Sequence, residues 1–367
     1  MTRDRGSTIV LSLPHGRGHP RNSEGSFVVL ADGRITFAYT RYYRGSWHDE
    51  APARICGRYS SDGGRTWTRQ DRVLVDNEGR CNVMSVSLLR LADRRIGLFY
   101  LRKNGPLDCR ARLRVSRDEG QTWGRPVLCI PAPGYFVVNN DRVVQLRTGR
   151  LMVPASYHRC KLARPDPNRM YAGLDSRGIA MFFLSDDGGR TWRESRDWWA
   201  LSVRSGTGLQ EPGVVELKDG RLYAVCRTDR DRQYEMFSDD GGETWTCPKP
   251  SSFQAPASPM SIKRIPATGD LLAVWNDRSG RLAPVRDKFL RNSWARTPLV
   301  AALSSNEGRS WRRVRLIESD PRRGFCYTAL HFTDQAVLMA YCCGGWGSSV
   351  LQDLCIRRIE LGWLYRD

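Results

Sequence analysis

Apolar positions along this chain fall into short runs, alternating or continuous, that break at a turn and resume. Six such pairs follow one another: Phe27–Tyr39 turning near Asp32 and Gly33, Val86–Tyr100 near Asp93 and Arg94, Val143–Tyr157 near Thr148 and Gly149, Val214–Cys226 near Asp219 and Gly220, Ser261–Trp275 near Thr268 and Gly269, and Ala329–Tyr341 near Thr333 and Asp334. Runs of strand length joined through turn residues predict β-hairpins. No helical periodicity lies between them, so the expected class is all-β.

An octapeptide of pattern S-x-[DN]-x-G-x-[ST]-W interleaves with the hairpins. It occurs at Ser60–Trp67, Ser116–Trp123, Ser185–Trp192, Ser238–Trp245 and Ser304–Trp311. Its chemistry is that of a tight turn. The Asp or Asn side chain accepts backbone N–H bonds, Gly supplies a positive φ, the Ser/Thr hydroxyl adds a local bond, and Trp packs between sheets. Six hairpins, each but the last followed by this unit, predict four-stranded modules arranged radially. The expected fold is a six-bladed β-propeller carrying five such turns, a single domain over 1–367, with the last module completed by strands from both ends of the chain.

Composition narrows the functional classes. Of 367 residues, 40% are hydrophobic and 26% charged, an ordinary globular balance. No apolar run approaches the roughly 18–20 residues of a membrane helix, so no membrane span is expected. The apolar stretch Ile9–Leu13 is too brief for a secretory leader. A cytoplasmic location is expected for the sequence as written, with secretion if translation starts further upstream. The net charge is +19, with 52 arginines against 6 lysines. These are spread without a basic block, which predicts a solvated basic surface rather than a nucleic-acid partner. Eleven cysteines without a CxxC pair predict reduced, mostly buried thiols, with no metal and no cofactor.

The octapeptide is identified as the Asp-box, or bacterial-neuraminidase repeat, and the chain resembles the sialidase superfamily of six-bladed propellers. The Asp-box itself is a folding device, so function has to be read from other residues. The resemblance implies an axial pocket in which an arginine triad holds a sugar carboxylate. A Tyr–Glu pair attacks the anomeric carbon, and an Asp protonates the leaving oxygen. A neutral Tyr activated by Glu avoids setting a carboxylate against the substrate's own. The segment from Glu211-Pro212-Gly213-Val214-Val215-Glu216-Leu217 to Arg227 is similar to the family's EPxVVEL…R blade, which makes Glu211 the activating base and Arg227 a carboxylate ligand. Arg296-Thr297-Pro298-Leu299, eight residues before the fifth Asp-box, matches the site of another triad arginine. Gly324-Phe325-Cys326-Tyr327-Thr328-Ala329-Leu330 matches the last blade's signature and makes Tyr327 the nucleophile. Asp49, flanked by His48 and Glu50 and eleven residues before the first Asp-box, matches the acid/base. Arg41 falls where the family has a substrate-facing arginine.

One position departs from the pattern. The first triad arginine aligns with Glu24, so that either Arg21 reaches in from a changed loop or a carboxylate stands in the triad. The activity implied is an exo-glycoside hydrolase that releases a terminal acidic sugar, sialic acid or a related ulosonic acid, with retention. Its partner is an acidic glycan or glycoconjugate. Two alternatives stay open: a hydrolase or lyase of another acidic glycan on the same propeller, and a non-catalytic carbohydrate-binding propeller. Arg102-Lys103-Asn104, Asn139-Asn140-Asp141-Arg142 and Asn276-Asp277-Arg278, at hairpin ends, are further candidates for the axis.

Overall fold

Short strands cannot satisfy their own backbone groups and must pair laterally. The computed structural model describes residues 6–166, 171–282 and 294–366, so Met1–Arg5 of the N-terminal segment considered above lie outside the described residues. Among the described residues there are 25 strands and one five-residue helix, α1 (Leu361–Tyr365). β1 (Ser7–Leu13) is the first strand. β2 (Asn22–Val29), β3 (Ile35–Tyr42), β4 (Ala53–Ser60) and β5 (Arg72–Val75) form a four-stranded sheet in chain order. A second such sheet holds β15 (Gln210–Glu216), β16 (Leu222–Arg227), β17 (Arg232–Ser238) and β18 (Lys249–Gln254). A third holds β19 (Ser261–Arg264), β20 (Leu271–Asn276), β21 (Leu299–Ser304) and β22 (Arg312–Glu318). In the fourth, β23 (Cys326–Phe332), β24 (Ala336–Cys342) and β25 (Leu354–Glu360) take β1 as their outer strand, antiparallel to β25. All six predicted hairpins are present as antiparallel pairs.

The fold is an all-β propeller, but the expectation of six separate blades is corrected: among the described residues only four four-stranded sheets stand alone. The intervening strands are β6 (Asn82–Arg90), β7 (Ile96–Gly105), β8 (Asp108–Ser116), β9 (Val127–Leu128), β10 (Gly134–Val137), β11 (Val144–Gln145), β12 (Leu151–His158), β13 (Ile179–Ser185) and β14 (Arg193–Glu194), and they form one nine-stranded sheet. The cause is a parallel pairing of Gly134 and Tyr135 in β10 with Asp108 and Cys109 in β8. Both β10 and β11 pair with β12, so the first strand of that hairpin is interrupted over 138–143.

The five turns use the predicted bonds. In the first, Gly64 N–H donates to Ser60 Oγ at 2.9 Å, Arg65 and Thr66 N–H donate to Asp62 Oδ1 at 2.9 Å each, and Thr66 Oγ1 donates to Asp62 Oδ2 at 2.6 Å. Gly64 has φ +69 or above with its neighbour Gly63, at +81 and +69 respectively. A Cβ on Gly64 would lie 2.6 Å from Leu338, so the turn is seated against the last sheet. The tryptophans close the seams between sheets. Trp67 packs against Phe27 and Phe37 in a cluster shared with Leu338 and Ala340, and Trp245 stacks on Phe182 at 4.1 Å. The core is therefore a series of such seams, each apolar side chain of phenylalanine size contributing about 1.5–3 kcal/mol.

The centre is fastened by the interruption at 138–143. Asn140 Nδ2 donates to Gly25 O at 2.7 Å and to Tyr327 O at 3.1 Å. Asp141 accepts from Ser26 Oγ at 2.9 Å and Leu330 N–H at 3.0 Å, and it pairs with Lys263 Nζ at 2.6 Å. Asp141 N–H donates to Val86 O at 3.1 Å, and Arg142 N–H to Ser87 Oγ at 3.0 Å. This segment therefore ties β2, β6, β19 and β23 together. Among the described residues, no helix is long and apolar enough to cross a membrane.

The turn carboxylates give stability an acid limb. Against what burial there is, hydrogen bonds from Thr66 and its neighbours hold Asp62 down to about 2, and bonds from Thr122 hold Asp118 there as well. A depressed carboxylate contributes stability that is full above its unfolded value, about 3.9, and is lost as pH falls through the folded value. Denaturant unfolding is expected to weaken between about pH 4 and pH 2. Replacing Asp62, Asp118, Asp187 and Asp240 by Asn should flatten that limb, because Asn306 already serves the fifth turn, accepting from Ser310 N–H at 2.9 Å. An unchanged limb in the fourfold variant would refute the assignment.

Candidate active site

In four inner strands the hairpin register slips at one place, and at that place a non-glycine residue takes a left-handed backbone. The slips fall between Ser23 and Ser26, Met84 and Ser87, Gln210 and Gly213, and Cys326 and Ala329. The residues are Glu24 (φ 55), Ser85 (φ 57), Glu211 (φ 48) and Tyr327 (φ 58). A bulge re-aims the side chain it carries, and left-handed backbone at a non-glycine residue costs about 1–3 kcal/mol.

Two of these bulges meet. Tyr327 Oη donates to Glu211 Oε1 at 3.2 Å, and Arg227 Nη1 holds Glu211 Oε2 at 3.0 Å. Glu211 is fixed from behind by its N–H to Ser156 Oγ at 2.7 Å. The Arg296 guanidinium lies 5.2 Å from the centre of the Tyr327 ring and donates to Cys326 Sγ at 3.0 Å. Burial and the adjacent Glu211 push the Tyr327 phenol well above its usual range, against Arg296 and Arg227, so Tyr327 rests neutral. Nε of Arg227 and of Arg296 is buried without a hydrogen-bond partner among the described residues. Both guanidinium groups therefore keep unspent donors.

Asp49 lies on the loop between β3 and β4, in the same pocket. Its carboxylate is paired with Arg21 through a short contact and accepts from Tyr171 Oη at 3.0 Å. Asn82 Nδ2 and Lys103 Nζ hold its backbone carbonyl at 2.6 and 3.0 Å. Burial works against ionisation, but Arg21 and Lys103 outweigh it and hold Asp49 well below the usual carboxylate range. Arg21 is buried behind Asp49, where it also binds Glu24 Oε2 at 3.0 Å, Ser23 Oγ at 2.9 Å and the ring of Tyr42 at 4.7 Å. Glu24 accepts from Ser23 Oγ at 2.9 Å, and burial raises its carboxyl despite Arg21.

The pocket encloses about 600 Å³ and is lined by Asp49, Glu211, Arg227, Arg296 and Tyr327 of the expected residues, with His48 at its edge. Arg41 is not among them, which corrects its expected placement. Neighbouring residues of a strand point to opposite faces. Tyr42 turns inward beneath Arg21, while Arg41 turns outward to Asp71 at 2.5 Å in a peripheral groove shared with Arg58 and Trp67. Arg21 and Glu24 sit behind the pocket wall, paired with each other. Of the further clusters, Lys103 reaches Asp49, whereas Arg102 and Asn104 face Asp108. Asn140 and Asp141 join inner strands, and Asn276 Nδ2 donates to Phe325 O at 2.9 Å. Tyr135, His158, Tyr171 and Asp175 also line the pocket, and the sequence reading did not single them out. His158 ends β12 much as Arg227 ends β16, a positional signal that comparing hairpin ends would have exposed.

Comparison with known proteins agrees with this architecture. A family model described as BNR repeat-like domain matches residues 38–339. A sialidase of Micromonospora viridifaciens is 27% identical over 263 residues, which cover 64% of this chain and 37% of that protein, so the chain spans well under half the length of that relative. Among solved structures, a protein of unknown function from Dyadobacter fermentans superposes with a TM-score of 0.72 at 18% identity, covering 96% of this chain and 99% of that one. Trypanosoma rangeli sialidase superposes with a TM-score of 0.69 at 17% identity, covering 98% of this chain and 60% of that one. At these identities the structural matches speak for the fold alone.

Arg21 compensates two carboxylates from one buried position. Arg21→Met is expected to cost about 3 kcal/mol in denaturant unfolding, because Glu24 stays buried without its cation. Adding Glu24→Gln should recover part of the loss. A loss below about 1 kcal/mol in the single variant would show that the pair is not a structural requirement.

Proposed function

The chain belongs to the BNR repeat-like domain family, and from that premise we propose that it is a sialidase-like exo-glycoside hydrolase acting on a terminal acidic sugar. The observation that carries the reading is the Tyr327–Glu211 hydrogen bond at 3.2 Å, in a pocket that is also lined by Asp49 and two arginines. A Tyr beside a carboxylate is a nucleophile beside its base. The guanidinium groups of Arg227 and Arg296, both in the pocket wall, suit a planar carboxylate. Arg21, its donors given to Glu24, Ser23 and Asp49, supports the orientation of the acid more than the grip on substrate.

In the first step Tyr327 Oη forms a bond to the anomeric carbon and passes its proton to Glu211 Oε1. The glycosidic C–O bond breaks, and the leaving oxygen takes a proton from Asp49. In the second, water attacks the anomeric carbon, gives a proton to Asp49, and Tyr327 leaves with the proton returned by Glu211. The anomeric configuration is retained. Asp49 rests ionised beside Arg21, so it takes up a proton from solvent as the substrate binds. A substrate carboxylate entering the pocket adds negative charge near it, which favours the protonated acid.

Hydrolysis of a fluorogenic α-sialoside tests this. Wild type is expected to turn over, and Tyr327→Phe and Asp49→Ala to lose about 10²–10⁴-fold in kcat. Arg41→Ala, in the peripheral groove, should stay near wild type. A folded wild type that hydrolyses no acidic glycoside would defeat the enzyme reading and favour a carbohydrate-binding propeller.

A further inference from the structure

His158 is buried at the end of β12 with its ring in the wall of the axial pocket. Its Nδ1 lies 2.9 Å from the backbone carbonyl of Asp175. A carbonyl oxygen only accepts, so Nδ1 carries the proton and Nε2 of the neutral ring is a bare acceptor. The ring stands nearly perpendicular to that of Tyr135, with centroids 6.3 Å apart and planes at 80°, which fixes its tilt. No described residue offers Nε2 a donor, and the ring lines the pocket.

We infer that His158 is a specificity-determining residue that presents Nε2 as a hydrogen-bond acceptor to a hydroxyl or amide N–H substituent of the bound sugar. The inference rests on the glycosidase reading of this pocket. The charged groups around the ring are Glu211 of β15, Arg227 of β16 and Asp175 of the loop after β12. Burial lowers the imidazole below its usual value, against the Asp175 carbonyl and Glu211, so the ring is neutral at neutral pH. A neutral acceptor repels a carboxylate and welcomes a donor. The pocket thus holds two unlike kinds of group: the guanidinium groups of Arg227 and Arg296 for the acid group, and the His158 lone pair for a neutral substituent. Asp175, which ties down the ring, is itself anchored by Arg177 at 2.8 Å, with Lys161 and Arg159 at 3.6 and 3.7 Å.

The test compares two probes, the 4-methylumbelliferyl α-glycosides of N-acetylneuraminic acid and of its deaminated analogue, which carries a hydroxyl in place of the acetamido group. His158→Phe keeps a flat ring and removes the acceptor, and His158→Gln keeps an acceptor oxygen. For at least one probe, His158→Phe is expected to raise KM about 5–10-fold with kcat within about twofold of wild type, and His158→Gln to recover most of the KM. If His158→Phe fails to fold, His158→Met reads the same split. A penalty confined to the first probe assigns the amide N–H as the partner, and one confined to the second assigns the hydroxyl. Unchanged KM for both probes, or a fall in kcat at constant KM, overturns the inference while leaving the glycosidase reading intact. A wild type silent on both probes overturns the subsite assigned here, and silence on every acidic glycoside overturns the glycosidase reading with it.

Discussion

A ring of sheets has no hydrogen-bond ladder across its axis, so the inner strands must be fastened there by side chains. In this chain the fastening comes from the interrupted strand around Asn140 and Asp141. One amide spans Gly25 and Tyr327, and one carboxylate joins Ser26, Leu330 and Lys263. The Asn140 amide and the Asp141 carboxylate are themselves buried, and leaving one of their bonds unmade would cost about 1–3 kcal/mol. The segment works only when the surrounding strands are all in place. The same closure makes Arg142 lie against β15, where a Cβ on Gly213 would stand 2.5 Å from its Nη1.

That fastening bears directly on the pocket, because the carbonyl it holds belongs to Tyr327. A left-handed tyrosine is an unfavourable conformation by itself. Here the Tyr327 carbonyl is held by Asn140, the Leu330 N–H by Asp141, and the preceding Phe325 carbonyl by Asn276. Glu211 is braced in the same manner by Ser156, which also donates to Leu209 O. The meeting of Tyr327 with Glu211 is therefore determined by bonds from strands that carry neither residue. Rigid placement of this kind is what allows a hydrogen bond between two strained residues to persist.

The hairpins and the five turns were legible in the sequence because local chemistry determines them: alternation, Asp or Asn acceptors, and glycines at positive φ. The union of two hairpin series into a nine-stranded sheet was not, since it depends on two residues of β10 meeting β8 across a gap that no local pattern encodes. Motif order singled out Tyr327, Glu211, Arg227, Arg296 and Asp49, and these five line one pocket. It misplaced Arg41, because sequence alone did not decide which of Arg41 and Tyr42 turns inward. It also left the relation between Arg21 and Glu24 open. The structure brings them together with Asp49, so the carboxylate at the unmatched position is paired with Arg21, the other candidate for that place. His158 was passed over because one histidine at a strand end carries no motif.

Counting arginines reveals little about which of them serve a ligand; the use of their donors reveals more. At the hairpin turns, Arg34, Arg95 and Arg221 fold back onto Asp32, Asp93 and Asp219, so part of the basic composition is absorbed two residues away. Arg21 is spent on Ser23, Glu24 and Asp49. Among the described residues, Arg227 and Arg296 each retain a buried unpartnered Nε, a trait shared with Arg54, Arg112, Arg142, Arg315 and Arg358, but only these two of the seven line the axial pocket. An unpaired donor sealed in a wall lowers the stability of the protein. What distinguishes Arg227 and Arg296 is therefore position: one guanidinium holds Glu211 and the other lies against the Tyr327 ring, the two side chains whose hydrogen bond the pocket is built around.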